Sequence, residues 1–118
     1  MSFVQHFLLL ITVLLVGCSP TWSDGAYVVY EIDGVKSLGF NVGEGAYIGR
    51  IDNPEIINAD DRFISIYACP ESSCAYYYLD RRQDHKFADS TEFVYGPYTQ
   101  EKFLTLQQDL QQPRLSKE

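Results

Sequence analysis

Histidine and the carboxylates are the residues of this chain that could carry acid–base or nucleophilic chemistry. His85 lies in the polar segment QDHKF, between Asp84 and Lys86. A catalytic histidine needs a nucleophile held against it, and no Gly-x-Ser-x-Gly turn or other spacing selects a serine. We therefore predict that His85 is a satisfied or solvent-exposed loop residue and that the chain is not an enzyme. A hydrolase that uses His85 or Asp60 stays an alternative.

The acidic residues offer a second chemistry, either as an acid–base pair or as cation ligands. Asp60 and Asp61 are adjacent, and adjacent side chains on an extended chain point to opposite sides, so they make a poor acid–base pair. An oxygen-rich segment lacks the ordered alternation of a calcium loop, and its side chains are typical of turns. Its members are Asp52, Asn53, Asn58 and Asp60. The sequence thus indicates no metal site and no cofactor.

Cys18 follows an uncharged apolar segment, FLLLITVLLV, at residues 7–16. At about 1.5 Å of rise per residue, a helix of this length spans roughly half of a bilayer core, which is typical of a secretory signal peptide. Leu15-Val16-Gly17-Cys18 resembles the bacterial lipobox, with an aliphatic residue three before the cysteine and a small residue directly before it. An uncleaved anchor and a buried apolar strand are the alternatives.

The resemblance to bacterial lipoproteins implies that residues 1–17 are a cleaved signal peptide and that Cys18 carries a diacylglycerol, with a further acyl chain such as palmitate on its amine. Two or three acyl chains together hold a protein on a membrane essentially permanently. Ser19 stands where such lipoproteins carry an inner-membrane retention aspartate, which implies the outer membrane, facing the periplasm. Residues 18–25 are then the lipidated cysteine and a short tether.

With Cys18 lipidated, Cys69 and Cys74 remain as a pair in an exported chain, which predicts a disulfide. Pro70 suits the second position of a tight turn between them. Redox pairs usually have two intervening residues and begin a helix, whereas this pair is farther apart and lies between strand-like segments. A zinc site would need more ligands.

The elements that position these residues follow from hydrophobic patterning. Segments rich in β-branched and aromatic residues alternate with turn signals, and residues 81–90 form a polar loop. Residues 62–69 carry large apolar side chains on both faces, which predicts a central strand covered on both sides. The predicted strands are 26–32, 35–42, 46–51, 62–69, 74–79 and 91–95.

A C-terminal helix completes the predicted domain. Thr99 is a suitable N-cap, and Phe103, Leu106 and Leu110 lie on one stripe of the helix. We expect an α+β fold at residues 26–112, in which an antiparallel sheet of about five or six strands carries one helix on one face, followed by a tail at residues 113–118.

Nine tyrosines make this composition unusual. In the run Tyr76, Tyr77 and Tyr78 the outer two share a face of the strand, and exposed tyrosines are well suited to protein contacts. With Arg81 and Arg82 they are our candidates for partner binding. Alternatively, tyrosine is simply favoured in strands, and the arginines offset nearby aspartates.

The net charge of −7 disfavours nucleic-acid binding and suits either a basic partner surface or plain solubility. The domain also resembles uncharacterised families of small bacterial lipoproteins, in residues 26–32, 56–64, 76–80 and 94–110, which implies a compact sheet with a helix and carries over no catalytic residues. We expect a non-enzymatic protein-binding module, in one version an immunity or inhibitor protein against a toxin or cell-wall hydrolase. The alternative is a structural accessory subunit of an envelope or secretion assembly.

Overall fold

The computed structural model describes residues 22–115, which form two four-stranded antiparallel sheets and one helix. In each sheet the strands follow chain order, so every strand pairs with its neighbour in sequence. The first sheet contains β1 (Trp22–Asp24), β2 (Tyr27–Ile32), β3 (Val35–Gly43) and β4 (Ala46–Asp52). The second contains β5 (Pro54–Ala59), β6 (Phe63–Ala68), β7 (Ala75–Asp80) and β8 (Val94–Tyr98), and the helix α1 spans Gln100–Leu110.

The α+β class is confirmed, but the prediction of a single sheet of five or six strands is wrong. The division falls at Asn53, whose backbone adopts a left-handed conformation with φ of 52°. Its N–H donates to the Lys36 carbonyl at 2.8 Å, and its carbonyl accepts from the Cys69 N–H at 3.0 Å. One residue therefore bridges both sheets and turns the chain from β4 into β5. The sequence predicted a turn-rich segment at residues 52–61 with at most a brief edge strand at residues 55–57, because Asp, Asn and Pro are frequent there, whereas β5 spans Pro54–Ala59.

The two sheets share one hydrophobic core. Each sheet contributes one face, as expected when sheets pack face to face. The first sheet supplies Tyr27, Val29, Leu38 and Ile51, and the second supplies Ile64, Ile66, Ala68 and Leu79.

Strand β6 is covered on both faces, as its sequence predicted. Ile64 and Ile66 face the core, whereas Phe63 and Ser65 are buried on the opposite face. Helix α1 packs on that opposite face, where the buried Phe103 stacks on Tyr76 with ring centroids 5.2 Å apart. The helix is therefore held by aromatic contact with the outer side of the second sheet.

The ends of α1 are fixed by side chains. Thr99 caps the helix by accepting a hydrogen bond from the Lys102 N–H at 3.2 Å, as predicted. After the helix, Gln107 donates to the Pro113 carbonyl at 3.0 Å, and Asn58 on β5 donates to the Arg114 carbonyl at 2.8 Å. The first bond attaches the beginning of the predicted tail to α1, and the second attaches it to the second sheet.

At the N-terminus the first strand begins earlier than expected. Trp22–Asp24 pairs with β2 although these residues belong to the predicted tether, because Trp22 packs against the core. The predicted signal peptide, the lipidation at Cys18 and residues 19–21 of the tether lie outside the described residues. Between Trp22 and Leu115 the structure contains no helix with the length and apolar content needed to span a bilayer.

Cys69 and Cys74 form the predicted disulfide, which closes the connection between β6 and β7. A short 3-10 turn at Pro70–Ser72 lies inside this loop. We expect the Cys69→Ala/Cys74→Ala variant to lose about 2 kcal/mol of unfolding free energy, because an uncross-linked loop of this size gains that much entropy when the chain unfolds. Urea titration with and without reductant measures the loss. Ser73→Ala, in the same loop, is the control, and an unchanged midpoint in the double variant would contradict the prediction.

Candidate functional site

A buried ion pair joins the first sheet to the loop between β7 and β8. The Arg50 guanidinium makes two parallel contacts with the Asp84 carboxylate, from Nε to Oδ2 at 2.9 Å and from Nη2 to Oδ1 at 3.0 Å. Both side chains are about 1% exposed. Such two-point pairing fixes the orientation of the Asp84 carboxylate and also neutralises its charge. The position of residue 84 is therefore tied to strand β4.

Arg50 points into the protein because strand β4 is irregular at this point. The register of β3 and β4 shifts between Leu38 and Gly39, so that Ile51 lies opposite Leu38 and Gly49 lies opposite Gly39. Arg50 is thus an extra residue in the strand, and bulges of this kind redirect a side chain. Its guanidinium also lies 5.4 Å from the centre of the Phe40 ring, which adds a cation–π contact.

Asp84 receives two further hydrogen bonds. The Tyr27 hydroxyl donates to Oδ2 at 2.9 Å, and the His85 N–H donates to Oδ1 at 2.9 Å. With the two bonds from Arg50, these occupy the roughly four acceptor positions of a carboxylate. Because no lone pair of Asp84 is left for a substrate proton, the carboxylate has a positional role.

Burial, followed by the hydrogen bond to Asp84, raises the pKa of Tyr27 well above its usual value. Desolvation disfavours tyrosinate, and a negative carboxylate beside the hydroxyl disfavours it further. Tyr27 therefore stays a hydrogen-bond donor to Asp84 throughout the physiological pH range.

Arg81, one of the predicted partner-binding residues, belongs to the edge of the same cluster. Its Nη1 donates to the Asp60 carbonyl at 2.6 Å, and its Nη2 lies 3.2 Å from Asp24 Oδ1. The guanidinium also covers the Tyr27 ring at 5.2 Å. Three elements therefore meet at Arg81, which is mostly used within the chain. Arg82, the next residue, is exposed.

The loop that Asp84 anchors exposes an aromatic side chain. Phe87 is 82% exposed, the largest exposure among the large apolar residues of the described chain. Its N–H donates to His85 Nδ1 at 3.2 Å, and Lys86 Nζ lies 5.1 Å from the centre of its ring. The sequence analysis missed Phe87, because it treated residues 81–90 as a polar loop.

His85 and the carboxylates do not assemble into a reactive group in the part of the chain that is described. His85 is exposed, and its ring lies 6.0 Å from that of Phe93. Asp60 Oδ1 accepts from the Arg62 and Phe63 N–H groups, as a turn residue does. Asp52 accepts from the Ser37 hydroxyl. No cluster of metal-ligating side chains occurs within residues 22–115.

The tyrosine run divides between the two faces of β7, as its alternation predicted. Tyr77 packs against the core. Tyr76 lies beneath α1, where the ring of Phe103 stacks on it. Tyr78 stacks on Tyr95 at 4.9 Å and on Tyr98 at 6.2 Å. Burial and these two neighbours raise the pKa of Tyr78. The rings mainly contact one another, and their role in partner binding stays a prediction.

A cavity of about 460 Å³ opens between the edge strands β4 and β8. In its wall, the Asp52 carboxylate accepts a hydrogen bond from the Ser37 hydroxyl, whereas Arg50 Nη1 is buried and lacks a hydrogen-bond partner among the described residues. Gly96 lies in this wall with φ of 137°, and a Cβ there would be 2.6 Å from a Tyr77 ring carbon. The cavity is lined by residues 49–52, Pro70, Tyr77, Ser90, Thr91, Val94 and Gly96.

No protein-family model, no curated protein and no solved structure matches this chain.

We expect Asp84→Ala to lower the free energy of unfolding by about 3–5 kcal/mol, because it leaves the Arg50 guanidinium buried without its counter-charge. Urea unfolding followed by tyrosine fluorescence measures the change. Asp89→Ala, an exposed position in the same loop, is the control and should change stability by no more than about 0.5 kcal/mol. Equal effects of the two substitutions would contradict the structural role of the pair.

Alkaline pH should weaken the fold through Tyr27. Above pH 10.0, the usual pKa of tyrosine, the unfolded chain loses the Tyr27 proton and the folded chain retains it. The stabilisation by Tyr27 is therefore fully present below that pH and declines above it, by at most about 1.4 kcal/mol per pH unit. The difference in unfolding free energy between the wild type and Tyr27→Phe, measured from pH 8 to pH 11, should decrease accordingly. Parallel profiles would contradict this expectation.

Proposed function

We propose that this chain is a lipid-anchored lipoprotein of the bacterial envelope whose domain acts as a non-enzymatic protein-binding module. The observation that carries the binding role is Phe87, an aromatic side chain that is 82% exposed on a loop fixed from below by a buried ion pair. Large aromatic residues at protein interfaces contribute much of the binding energy. A free monomer gains nothing from exposing one, because the ring would be more stable out of water.

The attachment of the loop makes Phe87 suitable for tight binding. Asp84 is held by Arg50 and Tyr27, and the carbonyl of His85 accepts a further bond from Arg50 Nη2 at 3.0 Å. The backbone of Asp84 and His85 is therefore already ordered before a partner binds. A partner would pay little conformational entropy for that part of the loop, which favours affinity.

The charges beside Phe87 indicate the chemistry of the partner. Lys86 lies over the Phe87 ring, and Arg82 is exposed in the same loop. A partner with an apolar pocket bordered by carboxylates would complement this loop. The site proposed from the sequence is thereby shifted from the tyrosines of β7 toward the loop that follows them.

Two observations support the extracytoplasmic part of the proposal. A disulfide joins Cys69 to Cys74, and disulfides persist mainly in oxidising compartments. The lipobox-like segment ending at Cys18 supplies the anchor, and Ser19 favours the outer membrane facing the periplasm.

One specific version of this function is an immunity or inhibitor protein against a toxin or a cell-wall hydrolase. A small domain whose exposed loop is already ordered suits the blocking of another protein's cleft. The second candidate is a structural accessory subunit of an envelope or secretion assembly, which the short tether favours because it keeps the domain close to its membrane. The neighbouring genes discriminate between the two, since a toxin or hydrolase gene favours immunity and an assembly operon favours the subunit.

Site-specific photocrosslinking in the native host tests the binding role. A benzoyl-phenylalanine at position 87 should give one discrete protein adduct, because the ring would enter the partner's pocket. The matched control is position 104, where Leu104 is 50% exposed on α1. Phe87→Ala should weaken binding of the identified partner by about tenfold to a hundredfold, the usual range for an interface anchor. Adducts of equal intensity at both positions, or none at position 87, would argue against the loop as the interface.

A further inference from the structure

We infer that the tip of the β2–β3 hairpin is a membrane-contacting surface, at which Ile32 and Val35 enter the interfacial layer of the bilayer that holds the lipid anchor. This inference rests on the proposed lipidation of Cys18. The two side chains lie directly opposite each other in the strand register and are 62% and 43% exposed. An exposed cross-strand pair of β-branched residues beside a turn needs an explanation, because the turn itself could have been made with polar neighbours.

Toward its N-terminus, the chain leaves the first sheet in the direction of the hairpin tip. Strands β1 and β2 are antiparallel, and Trp22 pairs with Val29. Moving from Trp22 toward the N-terminus therefore follows the same direction as moving from Val29 toward Ile32. The route to Cys18 and the hairpin tip thus leave from the same end of the first sheet.

The tether from Trp22 to Cys18 is about as long as the part of the hairpin beyond Val29. Cys18 is four residues before Trp22, so the two Cα atoms can be separated by at most about 14 Å. Strand β2 continues from Val29 to Ile32 in the same direction for about 10 Å, at roughly 3.3 Å per residue. A straight tether would bring Cys18 level with the turn at Asp33, and a bent tether would bring the membrane closer to the hairpin. With a straight tether, the tip reaches the layer in which the Cys18 sulfur sits.

The side chains at the hairpin tip suit the interfacial layer of a bilayer. The interfacial layer is about 5–7 Å thick on each side of the hydrocarbon core, which is enough to cover two side chains at the end of a hairpin. Glu31 and Lys36 form the next pair in the register, so the charges just above the tip cancel. Asp33, in the turn, leaves a single negative charge that headgroup water can solvate. The tip lies at the end of the first sheet from which the chain runs toward Cys18, and this position favours the bilayer as its occupant.

Spin-label accessibility on the lipidated full-length protein tests this inference. Ile32→Cys and Val35→Cys variants are labelled with a nitroxide and bound to phosphatidylethanolamine–phosphatidylglycerol vesicles. For each label, the measured quantity is the ratio of its accessibility to oxygen to its accessibility to a water-soluble nickel complex. This ratio should be several-fold larger at positions 32 and 35 than at the control positions. Phe87→Cys is one control, since it lies in the loop anchored near Tyr27, at the other end of β2. Tyr47→Cys is a second, in a residue 41% exposed near the β3–β4 turn.

Vesicle flotation in the same samples separates the two ideas. If the protein floats with the vesicles and the labels at positions 32 and 35 are as water-accessible as that at position 87, the anchor is present and the hairpin contact is wrong. If the wild-type protein expressed in its host carries no lipid and does not float, the anchor and the hairpin contact are both wrong. Ile32→Glu should move the label at position 35 toward water without affecting flotation, because the acyl chains alone hold the protein.

Discussion

The buried guanidinium of Arg50 imposes the main constraint on this structure. An uncompensated charge in a protein interior is costly, so the loop between β7 and β8 has to return to the first sheet and deliver the Asp84 carboxylate. This requirement ties the loop between β7 and β8 to the first sheet through side chains. Replacing such a pair by apolar residues is often neutral for stability, and the value of this pair therefore lies in the position that it gives to the loop.

That position determines what the loop exposes. Four hydrogen bonds hold the Asp84 carboxylate, and the backbone at His85 is bonded to the same arginine. Phe87 follows directly and is left in solvent. The Asp84 carboxylate of the loop is buried, while the aromatic ring of Phe87 is exposed, which is the reverse of the usual distribution of charged and apolar side chains in a soluble domain. This reversal is why we assign the binding role to the loop rather than to the more numerous tyrosines.

The sequence predicted those elements whose determinants are local. Helix α1 has its cap and its apolar stripe between Thr99 and Leu110, and β6 indicates its burial on both faces through the large apolar side chains that both faces carry. The two-sheet arrangement depends instead on the left-handed backbone of Asn53, and many asparagines in turn-rich segments do not adopt it. The Arg50–Asp84 pair was also unpredictable, since the two residues are 34 positions apart and each resembles an ordinary surface charge in sequence.

In the candidate site, too, the sequence predicted features that depend on neighbouring residues and did not predict contacts between residues far apart in the chain. The alternation of β7 correctly assigned Tyr77 to one face and Tyr76 and Tyr78 to the other, but it could not show that α1 covers Tyr76. Phe87 is a single apolar residue in a polar segment, where exposure and burial are equally compatible with the sequence. In the structure its ring is exposed, three residues after the buried Asp84 carboxylate. Because β2 runs from Tyr27, which touches Asp84, to Ile32 at the hairpin tip, a domain that contacts a membrane through this tip would direct Phe87 away from the bilayer.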